Sequence, residues 1–198
     1  MVYDKDFGWH AVLEGLEDLK DKEIFVGIQS DAGTTKDGSL TMAQLGAIHE
    51  FGADIVQPPQ AVTLYRRLKR DGSFAHGGRF VKKKRSNFAT TAVTGWKRIH
   101  IPSRPFLRTA IDNNKNAIAR MAQKEVGKII DGEQDANFAL AGLGLYVEGL
   151  VQRNFVTGHF APNAPSTIRK KRSSRPLIDS GHLRQSIRYV IRQKGEEK

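Results

Sequence analysis

Residues 4–21 place Phe7, Trp9, Val12, Leu13, Leu16 and Leu19 near helical spacing, with Asp, Glu and Lys between them. A first helix is expected there. Residues 23–29 (EIFVGIQ) form a short apolar run rich in β-formers and read as a buried strand, and residues 30–39 (SDAGTTKDGS) are a loop by composition. Thr41, with Gln44 three positions on, has the form of a capping box that starts a helix through Phe51. That helix is expected to bury Leu45, Ile48 and Phe51, and Gly52 to stop it with a positive φ.

After a break at Pro58-Pro59, residues 62–68 (VTLYRRL) alternate as a strand with Val62, Leu64 and Leu68 on one face, and Asp71-Gly72 marks a hairpin turn. Residues 73–95 read as a long basic β-arm or loop, residues 71–90 are expected to be poorly ordered in a free monomer and ordered by a neighbour, and residues 96–101 (WKRIHI) read as another strand. The strongest helix is expected over about 105–131, striped by Leu107, Ile111, Ile118, Met121, Ala122, Val126, Ile129 and Ile130 and ended by Asp131-Gly132. A second long helix follows over about 135–157, where Gly142, Gly144 and Gly149 each cost about 1 kcal/mol relative to Ala. Residues 158–179 read as irregular. Asp179 or Ser180 is expected to cap one short turn containing Leu183, and residues 186–191 (SIRYVI) alternate as a closing strand. The sum is an α+β fold: a small, mostly antiparallel sheet packed against two long helices, with a basic β-arm or loop insertion.

With 198 residues, 39% of them hydrophobic, the chain suits one domain over 1–198, with a basic arm at 71–95 and a basic irregular segment at 158–179. No apolar run reaches the length of a membrane helix, and no signal-peptide core opens the chain, so synthesis in the cytosol is the simple reading. The absence of Cys excludes disulfides, thiol catalysis and thiolate metal sites.

Charge changes the picture. The chain carries 32 Lys and Arg against 21 Asp and Glu, a net of +11, and places them unevenly. Residues 61–104 hold 12 basic residues and only Asp71, residues 165–194 hold 9 and only Asp179, and residues 1–60 hold 4 basic against 11 acidic residues. An acidic front and two basic blocks suit nucleic-acid binding, docking on an acidic protein surface, or self-association of acidic to basic face.

Candidate chemistry is sparse. The six histidines, His10, His49, His76, His100, His159 and His182, form no pair at metal-ligand spacing. Gly142-x-Gly144 lacks a third Gly, Ser180-Gly181-His182 lacks a nucleophile elbow, and Glu14, Glu17 and Asp18 read as a solvated helix face. No enzymatic site, metal or cofactor is expected. Lys82, Lys83, Lys84 and Arg85, and Arg169, Lys170, Lys171 and Arg172, are candidate contacts to nucleic acid or to an acidic partner. They lead to one reading of the chain, a DNA-binding protein using a basic arm over 66–104.

Three segments carry a further signal. They are Gln44-Leu45-Gly46-Ala47-Ile48-His49-Glu50-Phe51-Gly52, Ile101-Pro102-Ser103-Arg104-Pro105-Phe106-Leu107-Arg108, and Pro176-Leu177-Ile178-Asp179-Ser180-Gly181-His182-Leu183-Arg184-Gln185-Ser186-Ile187. In that order the chain resembles the neck or tail-completion (minor tail component) proteins of long-tailed bacteriophages and prophages over about residues 41–190. Ser103 stands where that pattern has Ala, Ser180 where it has Thr, and the stretch 61–100 is longer than in the shortest members.

The resemblance implies a non-enzymatic virion structural protein of the head–tail junction, assembled in the host bacterial cytoplasm. Its implied form is a homo-oligomeric ring, expected to be a hexamer, around the DNA channel. Its implied neighbours are a tail terminator or tail tube protein and a head-closure or connector protein, with no membrane. The residues it singles out for the fold or a subunit interface are His49, Glu50, Phe51, Gly52, Pro102, Arg104, Pro105, Phe106, Arg108, Asp179, Ser180, Gly181 and Leu183. Glu50 is free to bond a backbone or an Arg. Arg104 and Arg108 are expected to reach Glu50 or an acidic residue of a neighbouring subunit, and Asp179-Ser180-Gly181 is expected to be a tight turn that sets Leu183 and Ile187 on the core.

Overall fold

The structure is a computed structural model that describes residues 8–171 and 173–196. The chain divides into two compact units, one made of residues up to Ala53 together with those from Ile101 onward, the other of Asp54–His100.

The first unit is built on an αα-hairpin. α3 (Phe106–Ile130) and α4 (Ala136–Thr157) are joined by a short turn at Gly132, whose φ is 72°. Asp135 starts α4 by accepting the Phe138 N–H at 2.7 Å, which satisfies one of the donors left open at any helix N-terminus. The buried positions of α4, Ala136, Ala139, Leu140, Gly144, Val151 and Phe155, recur at three- and four-residue spacing and form one stripe.

β1 (Lys22–Ile28) and β6 (Ile187–Gln193) pair antiparallel, Lys22 opposite Gln193 and Ile28 opposite Ile187. Helix α4 lies along this pair. Its Glu148 carboxylate accepts the Tyr189 N–H at 3.1 Å, and its Gln152 amide donates to the Ile187 carbonyl at 3.3 Å. Two side chains of α4 thus take up backbone groups of β6 that do not face β1. Gly144 explains the close approach, since a Cβ there would lie 2.5 Å from the Tyr189 ring.

α2 (Met42–Phe51) begins with the expected capping box. Thr41 Oγ1 accepts from the Gln44 N–H at 3.1 Å, and Gln44 Oε1 accepts from the Thr41 N–H at 3.0 Å. Met42, Phe106, Ala110, Val151, Phe155, Leu177, Leu183 and Ile187 form the main core. α1 (Trp9–Lys20) sets Leu16 and Leu19 on a second small cluster of Ile129, Ala136 and Ala139. The expected start of that helix, at residues 4–7, lies outside the described residues.

The second unit is a two-stranded ribbon. β2 (Ala53–Gln57) pairs with β5 (Lys97–Ile101), and β3 (Ala61–Arg66) pairs antiparallel with β4 (Phe88–Val93), Ala61 opposite Val93 and Arg66 opposite Phe88. Gln60 and Thr94 link the two pairs. Thr94 N–H donates to the Gln60 carbonyl at 2.9 Å, and Gln60 N–H donates to Thr94 Oγ1 at 3.0 Å. Pro58-Pro59, unable to continue the ladder, sits at the interruption.

The α+β class holds, with the strands divided among three two-stranded pairs. Of the two readings of residues 73–95, β-arm or loop, the β-arm fits: they contain β4 and two 3₁₀ turns, Ala75–Gly78 and Lys83–Arg85. Two local expectations are corrected. Residues 158–179 are not wholly irregular. They contain α5 (Pro165–Lys171), with proline in its first turn, where a missing N–H costs nothing. The stripe expected of α3 is buried at Phe106, its expected start, and at Ile129, while Ile111 and Ile130 are exposed and Ala110 and Glu125 are buried instead.

Candidate functional site

The three segments singled out by their sequence meet inside the first unit. At the first, Gly52 stops α2 with φ 79°, and its N–H donates to the Ile48 carbonyl at 2.9 Å. Only glycine fits there, because a Cβ would stand 2.9 Å from the Ile101 carbonyl oxygen and 3.0 Å from the Ser103 nitrogen. The end of α2 therefore lies directly against the Ile101–Ser103 backbone.

Glu50 is 5% exposed and points at the start of α3. Its two carboxylate oxygens accept the N–H groups of Leu107 at 2.9 Å and Arg108 at 3.0 Å. This is an N-cap supplied from another helix: an anion placed where two donors are open and the helix dipole is positive. Ser103 Oγ adds a bond to the Glu50 carbonyl at 3.0 Å. Pro105 precedes the first residue of α3, and its carbonyl accepts from the Thr109 hydroxyl at 2.6 Å. Phe106 is fully buried and packs on Phe155 with ring centroids 4.6 Å apart.

Arg104 is 5% exposed, and its N–H donates to the His49 carbonyl. Its Nε donates to the Ala161 carbonyl at 2.8 Å, and its Nη2 to the Pro162 carbonyl at 3.0 Å. Asn163, also buried, turns its Oδ1 toward Nη2 at 3.5 Å and donates through Nδ2 to the Arg175 carbonyl at 3.0 Å. The expected ion pair of Arg104 with Glu50 is thus replaced. Glu50 binds backbone donors, and Arg104 binds backbone acceptors of the segment after α4. A planar guanidinium with five N–H groups suits several fixed carbonyls at once, which a lysine ammonium does not. Arg108 gives Glu50 only its backbone N–H, and its guanidinium lies over Phe51, 5.8 Å from the ring centroid. Phe51 itself is 70% exposed, contrary to the expectation that it enters the core, because α2 turns Met42, Gly46 and Glu50 inward instead.

His49 lies beside this assembly, its Nδ1 3.5 Å from Arg104 Nη1. Burial, then the charges of Arg104 and Lys171, press its pKa from the ordinary 6.5 down to about 4. Burial likewise lowers the Lys171 ammonium, with Arg104 adding to the effect and Asp179 opposing it. Lys171 is half-buried, its Nζ 3.4 Å from the Arg175 carbonyl. Arg169 and Lys170 of α5 are exposed, and Arg172 lies outside the described residues.

The third segment contributes packing. Leu177, buried, has φ 62° in a tight turn closed by the Ile178 N–H on the Pro176 carbonyl at 2.7 Å. Gly181, with φ 85°, precedes α6 (His182–Gln185), which is held by its carbonyl accepting the Gln185 N–H at 3.0 Å. The expected side-chain cap from Asp179 or Ser180 is not made, and both are exposed. Leu183 and Ile187 enter the core as expected, beside Met42 of the first segment and Phe106 of the second. Pro102 is half-buried in the strand-to-helix passage.

The arrangement locks elements together. Glu50 and the Nε and Nη2 groups of Arg104 act on backbone groups, and Asn163 joins Arg104 to the Arg175 carbonyl, which ties the ends of α2, α3 and the segment after α4 together. A separate buried carboxylate, Glu125, is held low in pKa by bonds from Gln134 at 2.8 Å and Lys128 at 2.9 Å. An open polar cleft of about 270 Å³ borders the junction, lined by Met42 of the first segment and His182 and Ser186 of the third, with Gln29, Asp31 and Arg188 among others. Among the described residues there is no group of three or more His, Asp or Glu placed to hold a metal ion, and no helix is long and apolar enough to cross a membrane. Sequence reasoning missed Asn163, Glu125 and the carbonyls of Ala161 and Pro162; backbone acceptors carry no residue signature. In comparisons with known proteins the chain matches no family model, no curated protein and no solved structure.

Proposed function

We propose that this protein is a non-enzymatic structural component of a phage-type virion, completing the tail at the head–tail junction. In this reading identical subunits form a ring, a hexamer, around the DNA channel, between a tail terminator or tail tube protein and a head-closure or connector protein. One observation carries it. The three ordered segments that resemble neck and tail-completion proteins converge on a single packed junction, through the Glu50 bonds to Leu107 and Arg108 and the shared core of Met42, Phe106, Leu183 and Ile187. Residues so placed fit the role of defining a subunit's shape. The segregation of acidic and basic blocks supports heterologous, head-to-tail contacts, which close into rings.

Size-exclusion chromatography with light scattering tests the assembly, since a hexamer has six times the 22.1 kDa mass of the chain. Deleting the gene from its parent phage or prophage tests the role. The expected result is filled heads and tails that do not join, restored by adding the purified protein. A chain that stays monomeric at all concentrations, together with normal particles in its absence, refutes the proposal.

A further inference from the structure

The unit Asp54–His100 carries eleven Lys and Arg against two Asp, a net of +9. Both carboxylates are engaged inside the unit. Asp54 meets His100 Nδ1 at 2.7 Å, and Asp71 Oδ1 accepts the Ser73 N–H at 2.9 Å and its hydroxyl at 2.7 Å. Among the described residues none of the eleven cations makes an ion pair. Like charge at this density repels itself, and a bound polyanion relieves the repulsion.

The tip of the ribbon is a built frame. Arg66, at the end of β3, lies between two aromatic rings, its guanidinium 4.9 Å from the centroids of both Phe74 and Phe80. Phe74 meets Phe88 of β4 edge-on at 5.8 Å. Asn87 clamps Leu68 from both sides, accepting its N–H at 2.7 Å and donating to its carbonyl at 2.9 Å. Val81 N–H donates to the Tyr65 carbonyl at 2.9 Å. Between these anchors the 3₁₀ turn Lys83–Arg85 is closed by the Ser86 hydroxyl on the Lys83 carbonyl at 2.7 Å, and Lys82, Lys83, Lys84 and Arg85 are all exposed.

We propose that this tip binds the phosphate backbone of double-stranded DNA, with Lys82, Lys83, Lys84 and Arg85 as phosphate contacts and Arg66, Phe74, Phe80 and Asn87 as the frame that positions them. Consecutive cations on a stiff ribbon match the dense, regular phosphates of a duplex, one charge per about 1.7 Å of axis. An acidic protein patch offers no such regular density. The turn presents charge without a helix or an amide pair aimed at base edges, so binding is independent of sequence. This holds whether or not the subunits form a ring, and its failure leaves the preceding proposal standing.

The test is fluorescence anisotropy of the full chain with a labelled duplex of about 25 bp, from 50 to 200 mM salt, in at least two unrelated sequences. Four phosphate contacts give a slope of log K on log salt of about −3.6, so binding weakens at least about 100-fold across that range, equally for both sequences. The variant Lys82→Gln/Lys83→Gln/Lys84→Gln/Arg85→Gln, checked by circular dichroism, is expected to lose about 3 to 4 from that slope. Arg169→Gln/Lys170→Gln, exposed cations of α5 in the first unit, is expected to keep it. An unchanged slope in the fourfold variant, or an equal loss per charge in the α5 variant, overturns the proposal. So does absent DNA binding with self-association lost in the fourfold variant, which assigns the tip to an acidic surface of a second copy.

Discussion

Glu50→Ala is the sharpest test of the junction between the three segments. The substitution removes an anion that is 5% exposed and leaves the N–H groups of Leu107 and Arg108 without acceptors at the start of a 25-residue helix. Hydrogen bonds to a charged group contribute about 1.5–3 kcal/mol each, and the interaction of an anion with a helix N-terminus about 0.3–1 kcal/mol or more where partly buried. The two bonds share one carboxylate and are not additive, so a loss of about 3–5 kcal/mol is expected. Against a typical total of about 5–15 kcal/mol, that is a large part of the stability. At about 2–4 °C per kcal/mol for a chain of this size, Tm should fall by roughly 6–20 °C. Urea unfolding followed by circular dichroism measures it, and the midpoint should shift with little change in slope. Glu50→Gln should fall between, since one amide oxygen replaces one acceptor while the NH₂ group faces the other donor. If Glu50→Ala costs less than about 1 kcal/mol, the carboxylate does not hold α3, and the account of the junction is wrong.

Arg104→Ala should cost about 2–4 kcal/mol by stranding the carbonyls of Ala161 and Pro162, and Arg104→Lys should rescue little of it, whereas Lys83→Ala should change stability by less than about 0.5 kcal/mol in the same urea assay. His49 binds its proton at about 4 in the folded chain and at the ordinary 6.5 when unfolded, so between those values the unfolded state holds more protons and stability falls as pH falls. The loss should reach up to about 3 kcal/mol near pH 4 and be absent above pH 7; it appears as the difference between wild type and His49→Gln across that range, and a flat difference refutes it. Gly149→Ala, where a Cβ meets nothing within 4 Å, should stabilise by up to about 1 kcal/mol, while Gly144→Ala should destabilise because its Cβ would lie 2.5 Å from Tyr189; thermal melts of the pair decide it.

The sequence determined whatever depends on neighbours along the chain. The helical spans of α3 and α4, though not which residues of α3 are buried, the strand β6 and the Thr41–Gln44 capping box all rest on residues a few positions apart, so spacing alone carries them. Gly52 was legible for the same reason, as a residue able to end a helix at positive φ. Tertiary structure decided the rest. The Glu50 bonds span 57 and 58 residues of chain, and those of Arg104 end on carbonyls that any residue would supply. Nothing in the letters at 161 and 162 marks them as acceptors. Phe51 reads as core by its side chain, yet the direction in which α2 presents it is fixed by where Glu50 must point. The ribbon was legible only in part: β2 has no alternating pattern, and its partner β5 lies some 40 residues away. Local preference is written residue by residue, whereas an acceptor, a strand partner or a buried charge exists only once distant backbone has been brought to it.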